Sequence, residues 1–323
     1  GTSDISEANY RITSGGAANI CLFFSKHRVE SRGRGGQGSL VIVEEVIPKS
    51  TTAVGPAEKK RKGPERLPGG QETAFGSPRD FLDNRFVYAV VSARAGGLSV
   101  GINLTPDKSC NFRCVYCEVH RGEERPAELV EVEAMAGELK KTLALVRSGR
   151  LRERPPYRAL PDDLLQLRHV ALSGDGEPTL SPRFAEALQA VVHVRAMSGA
   201  PFFKLVLLTN ATGLDLPHVQ RGLKHLTSSD EVWAKLDGGT QDYINKVNRP
   251  AVPLEKILSN ILLLARQRPV VIQSLFPAIH EEEPPSEEIE QYAQRLIELR
   301  RAGAQISLVQ IYSATRPSPN SES

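Results

Sequence analysis

The 323-residue chain lacks the long apolar run that a membrane-spanning helix requires. Such a helix needs about 18 or more mainly apolar residues, and the most apolar window, Ile257–Leu264, is interrupted by Ser259 and Asn260. The N-terminus also lacks the apolar core of a secretory signal. We therefore expect a cytoplasmic protein without membrane contact. The chain begins at Gly1 rather than Met, which leaves open whether the natural N-terminus is present.

Cysteine is scarce, and charge of either sign is not in large excess. The sequence has four cysteines, three of which crowd into residues 110–117. This is unlike the disulfide framework of a small secreted protein, and in a reducing compartment such crowding indicates metal or redox chemistry. The formal net charge of +3 neither demands nor excludes a nucleic-acid partner.

The first 84 residues differ in composition from the rest of the chain. Residues 1–84 are rich in Gly, Ser and Pro and contain a basic run at Lys59–Lys62. One segment, Ser39–Ile47, is strand-like, and residues 48–78 are typical of loop or disorder. A solvated flexible segment explains the basic run better than a nucleic-acid patch does. We predict a poorly structured N-terminal extension at 1–84 and a core domain at 85–323.

From about residue 85, short apolar runs alternate with amphipathic stretches. The predicted strands are Ser99–Leu104, Leu167–Leu172, Phe203–Thr209, Glu231–Leu236, Val270–Phe276 and Gln305–Tyr312. The predicted helices are Val130–Arg147, Arg183–Met197, His218–Leu226, Leu254–Arg266 and Ser286–Ala302, the last with Gly303 as its C-terminal cap. Six strands separated by five helices predict an α/β fold, a partial (β/α)6 barrel with its site at the carboxyl ends of the strands.

Three cysteines follow the first predicted strand with the spacing C-x3-C-x2-C, at Cys110, Cys114 and Cys117. Thiolates are the preferred ligands of iron–sulfur clusters and of structural zinc. Three thiolates can hold three corners of a cubane cluster, which leaves the fourth iron open to another ligand. His120 offers a fourth ligand instead, so a non-catalytic Cys₃His zinc module on Cys110, Cys114, Cys117 and His120 is the alternative.

The pattern C-x3-C-x-aromatic-C, with Tyr116 at the aromatic position, resembles the radical S-adenosylmethionine (radical SAM) superfamily. The resemblance covers roughly residues 87–317. It implies a [4Fe–4S] cluster on Cys110, Cys114 and Cys117 whose open iron binds the amino and carboxylate groups of S-adenosylmethionine. In that family, reductive cleavage of the cofactor yields a 5′-deoxyadenosyl radical. The resemblance also implies an electron donor of the flavodoxin or ferredoxin type.

A glycine-rich turn follows the second predicted strand, with candidate cofactor-binding residues Gly174, Asp175, Gly176, Glu177 and Pro178. Glycine permits close approach of the backbone to a ligand, and Glu177 can receive an ammonium group. Alone, the segment also fits a simple tight turn. It is similar to the family's Gly-Gly-Glu-Pro element, which binds the methionine amine, although Asp175 stands where the common pattern has Gly. A larger side chain at Gly176 is then expected to weaken cofactor binding with the cluster intact.

Polar residues follow the third and fourth predicted strands as well. Family members use such residues to hold the ribose and carboxylate of the cofactor, which makes Asn210, Lys235 and Asp237 candidates. A structural ion pair between Lys235 and Asp237 is the alternative. The segment Val247–Pro250 extends the same face of the predicted barrel.

A narrower resemblance concerns one subgroup of this superfamily. Residues 92–106, 173–180, 235–237 and 248–250 resemble the iron–sulfur oxidoreductases related to the tRNA-modifying 4-demethylwyosine synthases. Those synthases carry a second cysteine-bound cluster, whereas this chain has only Cys21 to spare, too few for four-cysteine ligation. The balanced charge also gives no strong footprint for tRNA. A substrate other than tRNA is favoured, and its identity and the fate of the radical stay open.

We predict that Cys110, Cys114 and Cys117 each ligate one iron, while Cys21 is dispensable. Changing any one of the three to Ala should remove most of the visible charge-transfer absorbance of the anaerobically purified protein. Cys21→Ala is the matched control and should retain that absorbance. A cluster that survives Cys114→Ala but is lost in Cys21→Ala would contradict the assignment.

Overall fold

A computed structural model describes residues 81–92, 95–119, 128–199 and 202–312, together with the backbone of three short strands. These strands are β1 (Tyr10–Ile12), β2 (Ile20–Leu22) and β3 (Ile42–Glu44). Most of the predicted N-terminal extension lies outside the described residues, so its disorder and the boundary at residue 84 stay predictions. Within the described ranges, no helix is long and apolar enough to cross a membrane.

The main sheet contains six consecutive parallel strands, as predicted from the alternating pattern. They are β5 (Gly97–Ile102), β6 (Leu167–Leu172), β7 (Lys204–Thr209), β8 (Glu231–Lys235), β9 (Val270–Ser274) and β10 (Ile306–Ile311). Each pairs in parallel with the next, and the hydrogen-bonded order runs without interruption from β5 to β10. This confirms the partial (β/α)6 barrel, because consecutive right-handed βα units place their carboxyl ends at one rim.

Two further strands flank these six, and only one of them, β4, lacks a counterpart among the strands predicted from the sequence. Strand β4 (Val87–Ser92) forms an antiparallel hairpin with β5. At the opposite edge, β3 pairs in parallel with β10, so part of the predicted strand Ser39–Ile47 belongs to the sheet. Strand β4 is a continuous apolar run without alternating apolar and polar residues. Periodicity alone cannot distinguish such a buried strand from another buried segment.

Six helices lie among the described residues, one more than predicted. They are α1 (Val132–Arg147), α2 (Phe184–Met197), α3 (Pro217–Leu223), α4 (Gln241–Val247), α5 (Leu254–Ala265) and α6 (Ser286–Arg301). The additional helix is α4, a seven-residue helix whose N-cap Thr240 accepts a hydrogen bond from the Tyr243 amide. Gly303 follows α6 with a left-handed φ of 95° and donates to the Arg300 carbonyl, which confirms the predicted cap.

The two faces of the sheet carry different side chains because successive residues point to opposite sides. One face contributes Val170, Leu205, Val232, Ile272 and their neighbours to a large core shared with the helices. The other face carries a smaller cluster of Ala171, Val206, Trp233 and Val271. Burial of both faces explains why these strands read as nearly continuous apolar runs.

A buried carboxylate fixes the amino-terminal ends of two strands. Asp230, which precedes β8, binds Arg195 of α2 at 2.6 and 3.1 Å and accepts the Leu205 amide of β7 at 2.8 Å. Burial alone would raise the pKa of Asp230, but the Arg195 guanidinium and the amide donors hold it below its usual value. This pairing keeps β7 and β8 in register, and their opposite ends carry candidate site residues.

A second buried carboxylate positions the short helix α4. Glu288 of α6 accepts hydrogen bonds from the Gly239 amide at 2.5 Å and from the Thr240 hydroxyl at 2.6 Å. An acidic group at this place also complements the partial positive charge of the α4 N-terminus. The link fixes the loop between β8 and α4, and the far end of α4 contacts the cysteine segment.

Candidate cluster and cofactor site

The three predicted ligands lie in one segment, residues 103–119, which we call the cysteine loop. It follows the carboxyl end of β5, and Cys110, Cys114 and Cys117 are half-buried and in no disulfide bond. Across the described ranges, no three His, Cys, Asp or Glu side chains stand close enough together to hold a metal ion as they are. The cysteine loop offers three thiol ligands, and the three sulfur atoms would have to move closer together to bind one cluster.

The backbone of the cysteine loop is fixed against the end of α4. The Arg113 amide donates to the Asn248 carbonyl at 2.8 Å, and the Val115 amide donates to the Val247 carbonyl at 2.9 Å. The Ala251 amide donates in return to the Asn111 carbonyl at 2.9 Å. These bonds hold the segment between Cys110 and Cys117 in a defined path, which lowers the entropic cost of gathering three ligands.

Nitrogen donors lie against two of the three sulfur atoms. The Phe112 amide is 3.4 Å from Cys110 Sγ, and Asn248 Nδ2 is 3.2 Å from Cys114 Sγ. Burial, aided by the nearby Asp237 charge, raises the pKa of Cys114 to about 12, so without iron this side chain is a neutral thiol. Coordination to iron replaces that proton. Three thiols in one loop, two of them with N–H donors beside the sulfur, fit the chemistry of an iron–sulfur cluster.

The glycine-rich turn packs against protein rather than standing open. A Cβ on Gly174 would lie 2.3 Å from Asn103 Oδ1, and a Cβ on Gly176 would lie 1.9 Å from the Ser109 carbonyl oxygen. The Glu177 amide donates to that same carbonyl at 3.0 Å. The close approach that glycine permits here is therefore to β5 and to the cysteine loop, directly before Cys110.

Asp175 and its neighbours complete this contact. Asp175 Oδ2 accepts a hydrogen bond from Asn103 Nδ2 at 2.8 Å, and its amide donates to Asn103 Oδ1 at 3.2 Å. The residue that departs from the common Gly pattern thus joins the ends of β5 and β6. Pro178 begins a short buried 3-10 turn, Pro178–Leu180.

Glu177 is buried and joins the ends of β6 and β7. Its Oε1 accepts from the Thr179 amide at 3.1 Å and from the Thr179 and Thr209 hydroxyls, each at 2.6 Å, while Oε2 accepts from the Asn210 amide at 2.7 Å. Burial raises the pKa of Glu177, and these donors offset part of the rise. An ionised carboxylate offers about four acceptor sites, and these four donors occupy them, so in this structure Glu177 bonds within the protein; its role in receiving an ammonium group stays a prediction.

Asn210 binds the cysteine loop directly. Its Nδ2 donates to Asn111 Oδ1 at 2.8 Å, and its Oδ1 accepts from the Thr212 hydroxyl at 2.7 Å. Asn111 donates in turn to Thr212 at 2.8 Å. The end of β7 and the cysteine loop are thereby joined by side-chain amides. The sequence prediction did not include Asn103, Asn111 or Thr212, because nothing in their local pattern marks them.

Lys235 and Asp237 form the ion pair that sequence reasoning left as an alternative. Lys235 Nζ is 3.3 Å from Asp237 Oδ1 and 2.5 Å from the Tyr312 hydroxyl. Asp237 Oδ1 also accepts from the Leu275 amide, and Oδ2 accepts from the Tyr116 hydroxyl and from Asn248 Nδ2 at 2.7 Å. Burial raises the pKa of the Tyr116 hydroxyl, and Asp237 raises it further. Asp237 therefore holds the aromatic residue of the cysteine motif in place.

The alternative zinc module depends on His120, which lies outside the described residues. The cofactor roles assigned to the residues after β6, β7 and β8 stay predictions. The structure does bring the cysteine loop, the 173–178 turn, Asn210 and the Lys235–Asp237 pair together at the carboxyl ends of β5 to β8.

The packing of Gly176 predicts the effect of a single added methyl group. In Gly176→Ala the new Cβ would collide with the Ser109 carbonyl, so we expect loss of most of the iron from the reconstituted protein. This differs from the sequence-based expectation, which kept the cluster intact. Gly137→Ala is the matched control, since a Cβ on Gly137 of α1 meets nothing within 4 Å. Full iron content in Gly176→Ala with unchanged cofactor affinity would contradict this.

Curated relatives match only part of the chain. The UPF0026 protein slr1464 of Synechocystis is 32% identical over 179 residues, covering 54% of this chain and 57% of the relative. A UPF0026 protein of Helicobacter pylori is 30% identical over 183 residues, covering 54% of this chain and 50% of the relative. The chain thus spans little more than half the length of these relatives.

Solved structures match this chain only at low identity. TYW1 with a lysine–pyruvate adduct bound is 16% identical with a TM-score of 0.42, covering 64% of this chain and 62% of that one. Streptococcus suis SuiB bound to S-adenosylmethionine is 14% identical with a TM-score of 0.45, covering 71% and 44%. The sequence model of the Radical SAM superfamily matches residues 105–296, which include all three cysteines and β6 to β9. The chain belongs to the radical SAM superfamily.

Proposed function

We propose that this chain uses a [4Fe–4S] cluster on Cys110, Cys114 and Cys117 to cleave S-adenosylmethionine reductively and generate a 5′-deoxyadenosyl radical. The observation that carries the proposal is the cysteine loop. Its three thiols follow β5, and hydrogen bonds with the end of α4 and with the 173–178 turn fix its backbone. When bound, the cluster supplies one electron to the sulfonium group of the cofactor.

The residues around the cysteine loop would bind the cofactor and orient the loop. The resemblance of the 174–178 turn to the family's element makes Glu177 the candidate for the ammonium group of the methionine end, which would replace one of the four donors that Glu177 now has. Asn210 and the turn at Gly174–Pro178 orient the loop that carries Cys110. Lys235 and Asp237 would hold other side chains in place rather than bind the cofactor, because Asp237 bonds Tyr116 and Lys235 bonds Tyr312. A cofactor bound at the open iron would then lie beside the cysteine loop, at the carboxyl ends of β5 to β8.

The electron is supplied from outside the chain. A one-electron carrier of the flavodoxin or ferredoxin type is the class of partner that fits this requirement. The alternative function, a non-catalytic zinc module on the same three cysteines and His120, would need neither the 173–178 turn nor the repeated βα pattern.

The direct test is an anaerobic assay with S-adenosylmethionine and dithionite. The reconstituted protein should form 5′-deoxyadenosine and methionine, because the radical abstracts a hydrogen atom from substrate, solvent components or protein. Cys114→Ala should form neither product above background, and Cys21→Ala should match the parent. A colourless protein that binds zinc stoichiometrically and forms no 5′-deoxyadenosine would favour the zinc module.

We also propose a substrate other than tRNA. Iron quantification should give about four irons per chain rather than eight, since one cubane accounts for all three clustered cysteines. Anaerobic incubation with N-methylguanosine-containing tRNA, pyruvate and S-adenosylmethionine should give no tricyclic base. Detection of that base in the nucleoside digest would overturn this part of the proposal.

A further inference from the structure

Asn248 is a fully buried amide at the end of α4, beside the cysteine loop, with an exposed fraction of 0%. Its Nδ2 lies 2.7 Å from Asp237 Oδ2, 3.2 Å from Cys114 Sγ and 3.2 Å from the Tyr116 hydroxyl. One side-chain nitrogen therefore joins a carboxylate that follows β8 to a thiol and a phenol of the cysteine loop.

The Asp237 carboxylate decides which way the amide points. With the amide turned over, Asn248 Oδ1 would face Asp237 Oδ2, and two acceptors would meet without a hydrogen between them. With the amide as it stands, one N–H is directed to Asp237, and the second is left for the sulfur and the phenol. The geometry thus presents an N–H donor to Cys114.

The carbonyl oxygen of the Asn248 amide indicates that packing alone does not explain an amide at this position. Asn248 Oδ1 is buried and accepts no hydrogen bond from the described residues. A buried acceptor without a partner costs folding free energy, whereas a leucine of similar volume would carry no such cost. The gain from an amide at this position must therefore come from its N–H groups, one of which contacts the predicted cluster ligand Cys114.

We infer that Asn248 is a positioning residue that raises the reduction potential of the cluster by donating an N–H to Cys114 Sγ. The inference rests on the proposed function. Reduction adds one electron from an external donor, breaks no bond and takes up no proton. The added negative charge spreads over iron and sulfur, so an N–H dipole aimed at a ligand sulfur stabilises the reduced cluster more than the oxidised one.

Two variants at Asn248 test this, with a matched control. Asn248→Leu removes the donor at similar volume, and Asn248→Ser removes the amide in a smaller side chain should leucine disturb folding. Asn260→Leu is the control, because Asn260 is also a buried amide whose Nδ2 donates to the Ala211 and Thr212 carbonyls at 2.8 and 2.9 Å. It supports the loop after β7 and makes these bonds to backbone rather than to sulfur.

The measurement is an anaerobic redox titration of each cluster-loaded full-length chain, followed by visible absorbance and electron paramagnetic resonance. Both Asn248 variants should show full iron content and a more negative midpoint potential than the parent, while Asn260→Leu keeps the parent potential. An unchanged potential in fully loaded Asn248→Leu and Asn248→Ser would overturn the inference and leave the proposed function intact.

Two other outcomes would also count against the inference. Loss of the cluster from both Asn248 variants, with Asn260→Leu fully loaded, would make Asn248 a residue needed to build the site rather than one that tunes it. An equal negative shift in Asn260→Leu would show that the potential follows general loosening of the loop. A parent chain that binds no iron–sulfur cluster would overturn the proposed function as well.

Discussion

The short backbone ladder between the cysteine loop and the end of α4 is the contact on which the candidate site depends. Amides of Arg113 and Val115 donate to carbonyls of Asn248 and Val247, and Ala251 donates back to Asn111. Without this ladder, residues 103–119 would be a long connection free to separate the three cysteines. With it, the chain path between Cys110 and Cys117 follows from the position of α4, which Glu288 of α6 fixes through Gly239 and Thr240.

Two buried carboxylates connect the carboxyl ends of neighbouring strands to one another and to the cysteine loop. Glu177 joins β6 to β7, and Asp237 joins β8 to the cysteine motif through Tyr116 and Asn248. Each is surrounded by donors, which is the condition under which a buried carboxylate contributes to a rigid structure. A site assembled from several loops thereby behaves as one unit, as a cluster with three protein ligands and an open iron requires.

Much of the fold and part of the site could be predicted from the sequence. The parallel strands and five of the helices have a strong pattern of apolar residues, and the cysteine spacing is a local feature. The strands, these helices and the cysteine motif can therefore be predicted without a structure. The strand β4 and the helix α4 were missed because one is an apolar run without alternation and the other has only two turns. The pairings of Asn103 with Asp175 and of Asn248 with Cys114 join distant segments, and only the folded chain brings them together.

The central claim is that the cysteine loop holds a cluster with one iron left open for S-adenosylmethionine. The most direct measurement is the electron paramagnetic resonance spectrum of the dithionite-reduced protein, recorded without and with S-adenosylmethionine at low temperature. The account predicts a reduced [4Fe–4S] signal whose g-values change when the cofactor is added, since the cofactor becomes a ligand of the open iron. A cluster signal that is identical with and without the cofactor, or a protein that contains zinc and gives no such signal, would contradict it.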